Sequence, residues 1–192
     1  MKKILTFILI FFSTTSNINA EEIKRIFVGN KDAKITIIAF ESLTSSHCAN
    51  FHKDVYPELK KNYLDTGLAK IEFRHFPLDI AAFNAAKVAQ CNNDGDSKIL
   101  NSLFANQQKW VKGSSAAEAN ENLKKFLVSE GYNVDFEKCI NDKEIEDFVL
   151  NDRIDAVKKF KISSTPTIII NDKKFEKSLN YKNLKKALEK LI

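Results

Sequence analysis

The sequence predicts an α/β fold: a β-α-β unit, a long helical insertion, and a closing β-β-α unit. Three observations predict it. Two strand-like runs, 35-ITIIAFE-41 and 69-AKIEFRHF-76, flank a helical pattern. Residues 80–160 carry amphipathic helix patterns and no strand signal. Then 167-TIIIN-171 returns to strand just before a turn and a final helix.

Residues 1–20 read as an address label. Lys2 and Lys3 precede an apolar run from Ile4 to Phe12, and Ala20 supplies a small residue for cleavage before Glu21. The run is too short to cross a bilayer, so a cleaved secretory signal peptide is expected, with a retained anchor as the alternative. Cleavage there leaves 172 of 192 residues, enough for one domain with an inserted subdomain. The expected layout is a discontinuous main domain over 21–79 and 161–192, with a helical insertion over 80–160.

Within that layout, 35–41 is β-branched, apolar and free of turn residues, as in a buried strand. Phe51, Val55 and Leu59 then recur at helical spacing, with Pro57 placed to kink the helix and Thr66-Gly67 to end it. In 69–76 the alternation puts Ile71, Phe73 and His75 on one side, and Pro77 stops the strand. A strand-helix-strand connection of this length predicts a right-handed parallel crossover. Helical segments are expected near 80–91, 96–111, 115–130 and 143–159, separated by 92-NNDGD-96, 112-KGSS-115 and 130-EGYNVD-135. Asn171-Asp172 reads as a tight turn into a short partner strand starting at Lys174-Phe175. From about Tyr181 a last helix buries Leu184, Leu188 and Leu191.

Loss of Lys2 and Lys3 takes the formal charge from +5 to +3, and the remaining basic residues are interleaved with acids, as in 137-EKCINDKEIEDF-148. No basic block with interleaved aromatics is present, so no nucleic-acid partner is expected. No second apolar run could cross a membrane, so no stable membrane insertion is expected after signal cleavage. Export would place the chain where disulfides persist. It has three cysteines, Cys48, Cys91 and Cys139, so one lacks an intrachain partner.

Two motifs carry a resemblance. The stretch 40-FESLTSSHCANFHKDVYPEL-59 and the later 164-STPTIIIN-171 resemble the active-site helix and proline loop of the DsbA-like branch of the thioredoxin superfamily. The resemblance implies a thioredoxin fold with an inserted helical subdomain, and thiol–disulfide oxidoreductase activity without cofactor or metal. It covers the mature chain in element order. The departure lies at the Cys-x-x-Cys position: Ser45 occupies the first cysteine's place and Cys48 the second's, with Ser46 and His47 between them. In such a pair the first sulfur sits at a helix N-terminus, where the dipole stabilises a thiolate. That thiolate attacks, and the second thiol resolves the mixed disulfide. A serine hydroxyl does neither, so the site should be redox-inactive.

Each site residue also has a plainer reading. Ser45 is a good N-cap, which is compatible with a lost nucleophile, and Ser42, Thr44 and Ser46 compete for the cap. Cys48 is an inert buried thiol, a weakly reactive one, or a metal ligand with His52 and His47, the last being a weak zinc pattern. In the family the residue at the position of His47 helps stabilise the thiolate; here it is otherwise a solvated residue at the helix start. From its residues alone, Thr165-Pro166 is a turn before a strand. The resemblance implies a cis proline opposite the corner, with Thr165 offering backbone groups to an extended substrate. It also implies a non-catalytic Cys91–Cys139 disulfide, the alternative being two separate thiols. Trp110 and the phenylalanines read as core.

The expected partners are unfolded or cysteine-containing exported polypeptides and a membrane redox partner, in the periplasm or outside the cell. Ser45 stands either in an altered copy of an active enzyme or as the natural residue of a redox-dead relative. A peptide-binding or chaperone-like module is the competing reading. A third is a glutathione-dependent relative of the kappa-class transferases, which share the fold and place serine at this corner.

Overall fold

The computed structural model describes residues 22–192, so the proposed signal peptide lies outside the described residues. β-Branched runs pair into a five-stranded sheet of order β1-β3-β2-β4-β5. The strands are β1 (Ile26–Gly29), β2 (Ile35–Glu41), β3 (Ala69–His75), β4 (Thr167–Ile170) and β5 (Lys173–Lys174). β2 and β3 are parallel, with Ile37 opposite Ile71 and Glu41 opposite His75. The other pairings are antiparallel.

Period-two alternation assigns the strand side chains to two cores. Ile35, Ile37, Ala39, Ile71, Phe73, Ile168 and Ile170 point to the larger one. Ile38, Phe40 and Ile169 point the opposite way, onto Phe76, Ala156 and Ile162.

The β2–β3 crossover contains α1 (Ser46–Asp54), α2 (Tyr56–Leu59) and a π-helical turn over Lys60–Leu64. The break falls at Val55, with Pro57 in the first turn of α2 where its missing N–H is not needed. Between β3 and β4 run α3 (Ile80–Gln90), α4 (Lys98–Ala105), α5 (Gln107–Trp110), α6 (Ala116–Ser129), α7 (Phe136–Asn141) and α8 (Lys143–Phe160). These form the helical insertion. Side-chain caps open several of them: Asp79 for α3, Ser115 for α6, Asp135 for α7 and Asp142 for α8. Trp110 is fully buried, and its Nε1–H donates to Leu103 O at 2.9 Å. Asn171 and Asp172 both have positive φ (44° and 65°), the geometry of a tight hairpin turn into β5. The chain closes with α9 (Tyr181–Leu188).

Two expectations need correction, and two elements come in addition to those expected. β1 was not anticipated; four residues on a sheet edge give too short an alternation to stand out. The segment 96–111 divides at Asn106 into α4 and α5. α7 was missed because its six residues carry little periodicity. Leu191 is not part of the buried stripe: α9 ends at Leu188, and Leu191 is 45% exposed.

Candidate functional site

Strand β2 ends on Glu41, and the chain turns through Ser42–Ser45 into α1. Ser45 is the N-cap, with φ −74° and ψ 119°, and its Oγ accepts from Cys48 N at 3.3 Å. Its carbonyl accepts from Ala49 N at 3.1 Å and from Gln107 Nε2 at 3.0 Å. Gln107 Nε2 also donates to Leu43 O at 2.7 Å, so one amide from α5 clamps the corner twice. On the opposite flank, Ser42 Oγ accepts from Leu78 N at 3.3 Å and Thr44 Oγ1 donates to Asp79 Oδ2 at 2.7 Å. The corner is thereby tied to the insertion at both α3 and α5.

Ser46 and His47 are exposed, whereas Cys48, one turn further in, has no exposed surface. Burial pushes the Cys48 thiol up to about 12, and the nearby Glu41 carboxylate adds to the rise. The Ser45 hydroxyl, the Ser42 backbone and the Thr165 hydroxyl oppose the shift without overcoming it. Thr165 Oγ1 is buried and makes no well-directed hydrogen bond, though it lies close enough to Cys48 to be felt.

The residues of the proline loop share a groove with the start of α1. The Thr165–Pro166 peptide is cis. A cavity of about 610 Å³ is lined by His47, Phe51 and Val55 on one side and by Thr165, Pro166, Leu179 and Tyr181 on the other. The two distant motifs, 45–48 and 165–166, therefore meet. Cys91 and Cys139 do not join them. They are bonded to each other, with a Cα–Cα distance of 5.4 Å, between the end of α3 and α7. Cys48 is the free cysteine among the described residues.

Sequence reasoning missed two members of this neighbourhood. Glu41 is buried and its two carboxylate oxygens face His52 Nε2 at 3.1 and 2.9 Å. His52 is thus engaged with Glu41, and among the described residues no three histidine, cysteine or acidic side chains gather as a metal site. A carboxylate closing an otherwise apolar strand was the available signal for Glu41. Gln107 left no signal, since its partners are backbone carbonyls more than sixty residues away.

A family model described as Thioredoxin matches residues 21–190. The chain is 27% identical over 169 residues to the "Putative protein-disulfide oxidoreductase" of Rickettsia bellii, covering 86% of this chain and 63% of that protein. It is 27% identical over 175 residues to Disulfide bond formation protein D of Bacillus subtilis, covering 85% and 75%. The chain spans only 52% to 63% of the length of the Rickettsia relatives it matches. Among solved structures, alpha-DsbA1 of Wolbachia pipientis superposes with a TM-score of 0.77 at 30% identity, over 87% of this chain and 90% of that one.

Proposed function

The chain belongs to the thioredoxin family, in its DsbA-like branch, and on that premise we propose that it serves disulfide formation in exported proteins while lacking the attacking thiol itself. The observation that carries the proposal is the corner. Ser45 caps α1 and turns its hydroxyl back onto Cys48 N, and Cys48 is fully buried with its thiol pushed up to about 12.

Disulfide exchange requires a thiolate to attack one sulfur of a disulfide along the S–S axis, expelling the other sulfur as a thiolate. A hydroxyl at position 45 neither ionises near neutral pH nor forms an S–S bond. Cys48 could supply the sulfur only by emerging from the core and shedding a tightly held proton. Neither group supports a catalytic cycle, so the dithiol–disulfide couple between positions 45 and 48 is absent. The groove beside Thr165–Pro166 remains, with the cis peptide bond facing the start of α1. It suits an extended polypeptide that pairs with the loop backbone. The partners we propose are cysteine-containing exported polypeptides, with a membrane redox partner engaged at the same corner. Export itself is proposed from the charged, apolar and small-residue order of residues 1–20.

The test compares the chain as it stands with Ser45→Cys in oxidising a reduced two-cysteine peptide, with glutathione disulfide as terminal oxidant. The native chain should not exceed the uncatalysed rate, and Ser45→Cys should exceed it about a hundredfold or more, because a helix N-terminus would favour a thiolate there. Turnover by the native chain at the rate of the variant would overturn the proposal.

A further inference from the structure

Charge is distributed unevenly along the chain. Residues 158–192 hold ten lysines and three acidic residues, a formal charge of +7. Residues 22–157 hold eighteen basic and twenty-one acidic residues, a formal charge of −3. A general compositional preference for lysine would spread through the whole chain, so the contrast calls for a local cause.

The fold gathers these lysines on one side of the molecule. Lys173 and Lys174 make up β5, an outer edge of the sheet. Leu184 and Leu188 seat α9 on the face of β4 that carries Ile168 and Ile170. Ala156, Phe160 and Ile162 seat the end of α8 on the opposite face, against Ile169. The two helical segments therefore bracket the β4–β5 edge. Lys182, Lys185 and Lys186 of α9 lie opposite its buried leucine stripe, and Lys158, Lys159 and Lys161 are exposed at the end of α8. All ten lysines are exposed. Among the described residues three of them have an ion-pair partner: Lys159 with Asp155, Lys174 with Glu176 and Lys185 with Glu189. Seven positive charges are left facing solvent.

The chemistry of the face selects its partner. Residues 158–192 contain no arginine. Lysine is a compact point charge that suits a diffuse layer of phosphates, whereas bidentate recognition of nucleic acid favours arginine. The aromatic side chains of this segment, Phe160, Phe175 and Tyr181, pack against the cores and offer no free faces for bases to stack on. Beside Lys190, Leu191 and Ile192 are 45% and 69% exposed, apolar groups able to enter a headgroup layer.

We propose that this face docks peripherally on an anionic phospholipid bilayer. The lysines lie over the phosphate layer, and Leu191 and Ile192 dip into it. Leu179 and Tyr181 belong to the groove beside Thr165–Pro166, so a docked molecule holds that groove at the membrane surface, where a membrane redox partner would meet it. The docking rests on charge and placement and stands whether or not Ser45 is redox-inactive.

Co-sedimentation of the full chain with vesicles tests it, using phosphatidylcholine alone and phosphatidylcholine mixed with phosphatidylglycerol. At low salt, phosphatidylglycerol should tighten binding about a hundredfold, and high salt should remove that gain. The triple variant Lys182→Gln, Lys185→Gln, Lys186→Gln should cut the gain about tenfold or more. The triple variant Lys112→Gln, Lys125→Gln, Lys138→Gln loses the same charge from the insertion and should keep the gain within about twofold. Residues 1–20 are common to all these proteins and drop out of the comparison. Leu191→Ser with Ile192→Ser should weaken binding about tenfold without changing its dependence on salt. No gain from phosphatidylglycerol, or equal losses in the two triple variants, would overturn the proposal. So would retention on duplex DNA at a salt concentration that strips the protein from vesicles.

Discussion

At the scale of single residues, the thiol of Cys48 is kept protonated by two causes. It is fully buried, and it sits beside the Glu41 carboxylate. The rise from 9.0 to about 12 lowers the thiolate fraction near neutral pH about a thousandfold relative to an ordinary cysteine. The native protein at pH 8 should therefore react with iodoacetamide at least about a hundredfold more slowly than the protein in urea. Rates within tenfold of each other would show that the thiol is not protected. Glu41→Gln removes the second cause, so the pH at which alkylation sets in should fall in that variant; an unmoved onset would mean the carboxylate does not act on Cys48. The raised value also fixes a direction for stability. The protonated thiol is the form the fold favours, so its contribution is complete below about pH 9 and is lost as pH climbs towards 12. Much of this site was legible in the residues. Taken alone, Ser-x-x-Cys and Thr-Pro-Thr give a helix cap after a buried strand and a turn before another; the resemblance is what set Ser45–Cys48 and Thr165–Pro166 against each other. The environment of Cys48 was not legible, because it depends on Glu41 at the end of β2 and on Thr165 from across the fold, neither of which is marked by local spacing.

At the scale of elements, the sequence marks long periodic segments well and short ones poorly. The runs behind β2, β3, α3, α6 and α8 stand out because each repeats its period several times. β1 and α7 do not, being four and six residues long and held by pairing with β3 and by packing against α3 and α8. α7 also carries Cys139, whose bond to Cys91 at the end of α3 fastens this short helix to a long one. A short helix has little stability of its own, so the crosslink matters more here than it would between two long helices. The bond closes a loop of 48 residues, and the chain-entropy model assigns such a closure about 4 kcal/mol at most. The double variant Cys91→Ser, Cys139→Ser should lose about 2–4 kcal/mol in urea unfolding. Hydrogen exchange should rise first in α7 and the adjoining turn. A loss below about 1 kcal/mol would mean that packing alone secures α7.

Across the whole molecule, one buried carboxylate joins parts of the chain that lie far apart in sequence. Asp152 of α8 has a fully buried side chain. It takes Arg25 Nη1 at 2.5 Å from the segment before β1, and the backbone N–H of His75 at 3.1 Å from the end of β3. The His75 ring reaches Gln90 of α3 at 3.4 Å, and Gln90 donates in turn to the carbonyl of Lys24. The insertion, the sheet and the N-terminal segment thus share a single polar network. Removing its centre leaves a buried N–H without its acceptor, while the partly exposed Arg25 turns to solvent, so Asp152→Ala should destabilise by about 1–3 kcal/mol. The same network predicts a pH dependence. Burial holds the His75 pKa below its usual 6.5, a fall that Arg25 reinforces and that Asp152 and Gln90 oppose. In the unfolded chain His75 takes up a proton near pH 6.5, whereas in the folded protein it resists. Its contribution is therefore complete above that pH and is lost as pH falls through the lower folded value, with a slope of at most about 1.4 kcal/mol per pH unit. The carboxylates with lowered values, among them Asp96, Glu146 and Asp155, shift the balance in the same sense but only at more acidic pH, where unfolded carboxylates titrate. Between pH 7 and 5, urea-unfolding free energy of the native protein should fall, and that of His75→Gln should stay nearly level. Parallel slopes in the two proteins over that range would show that His75 is not the group responsible.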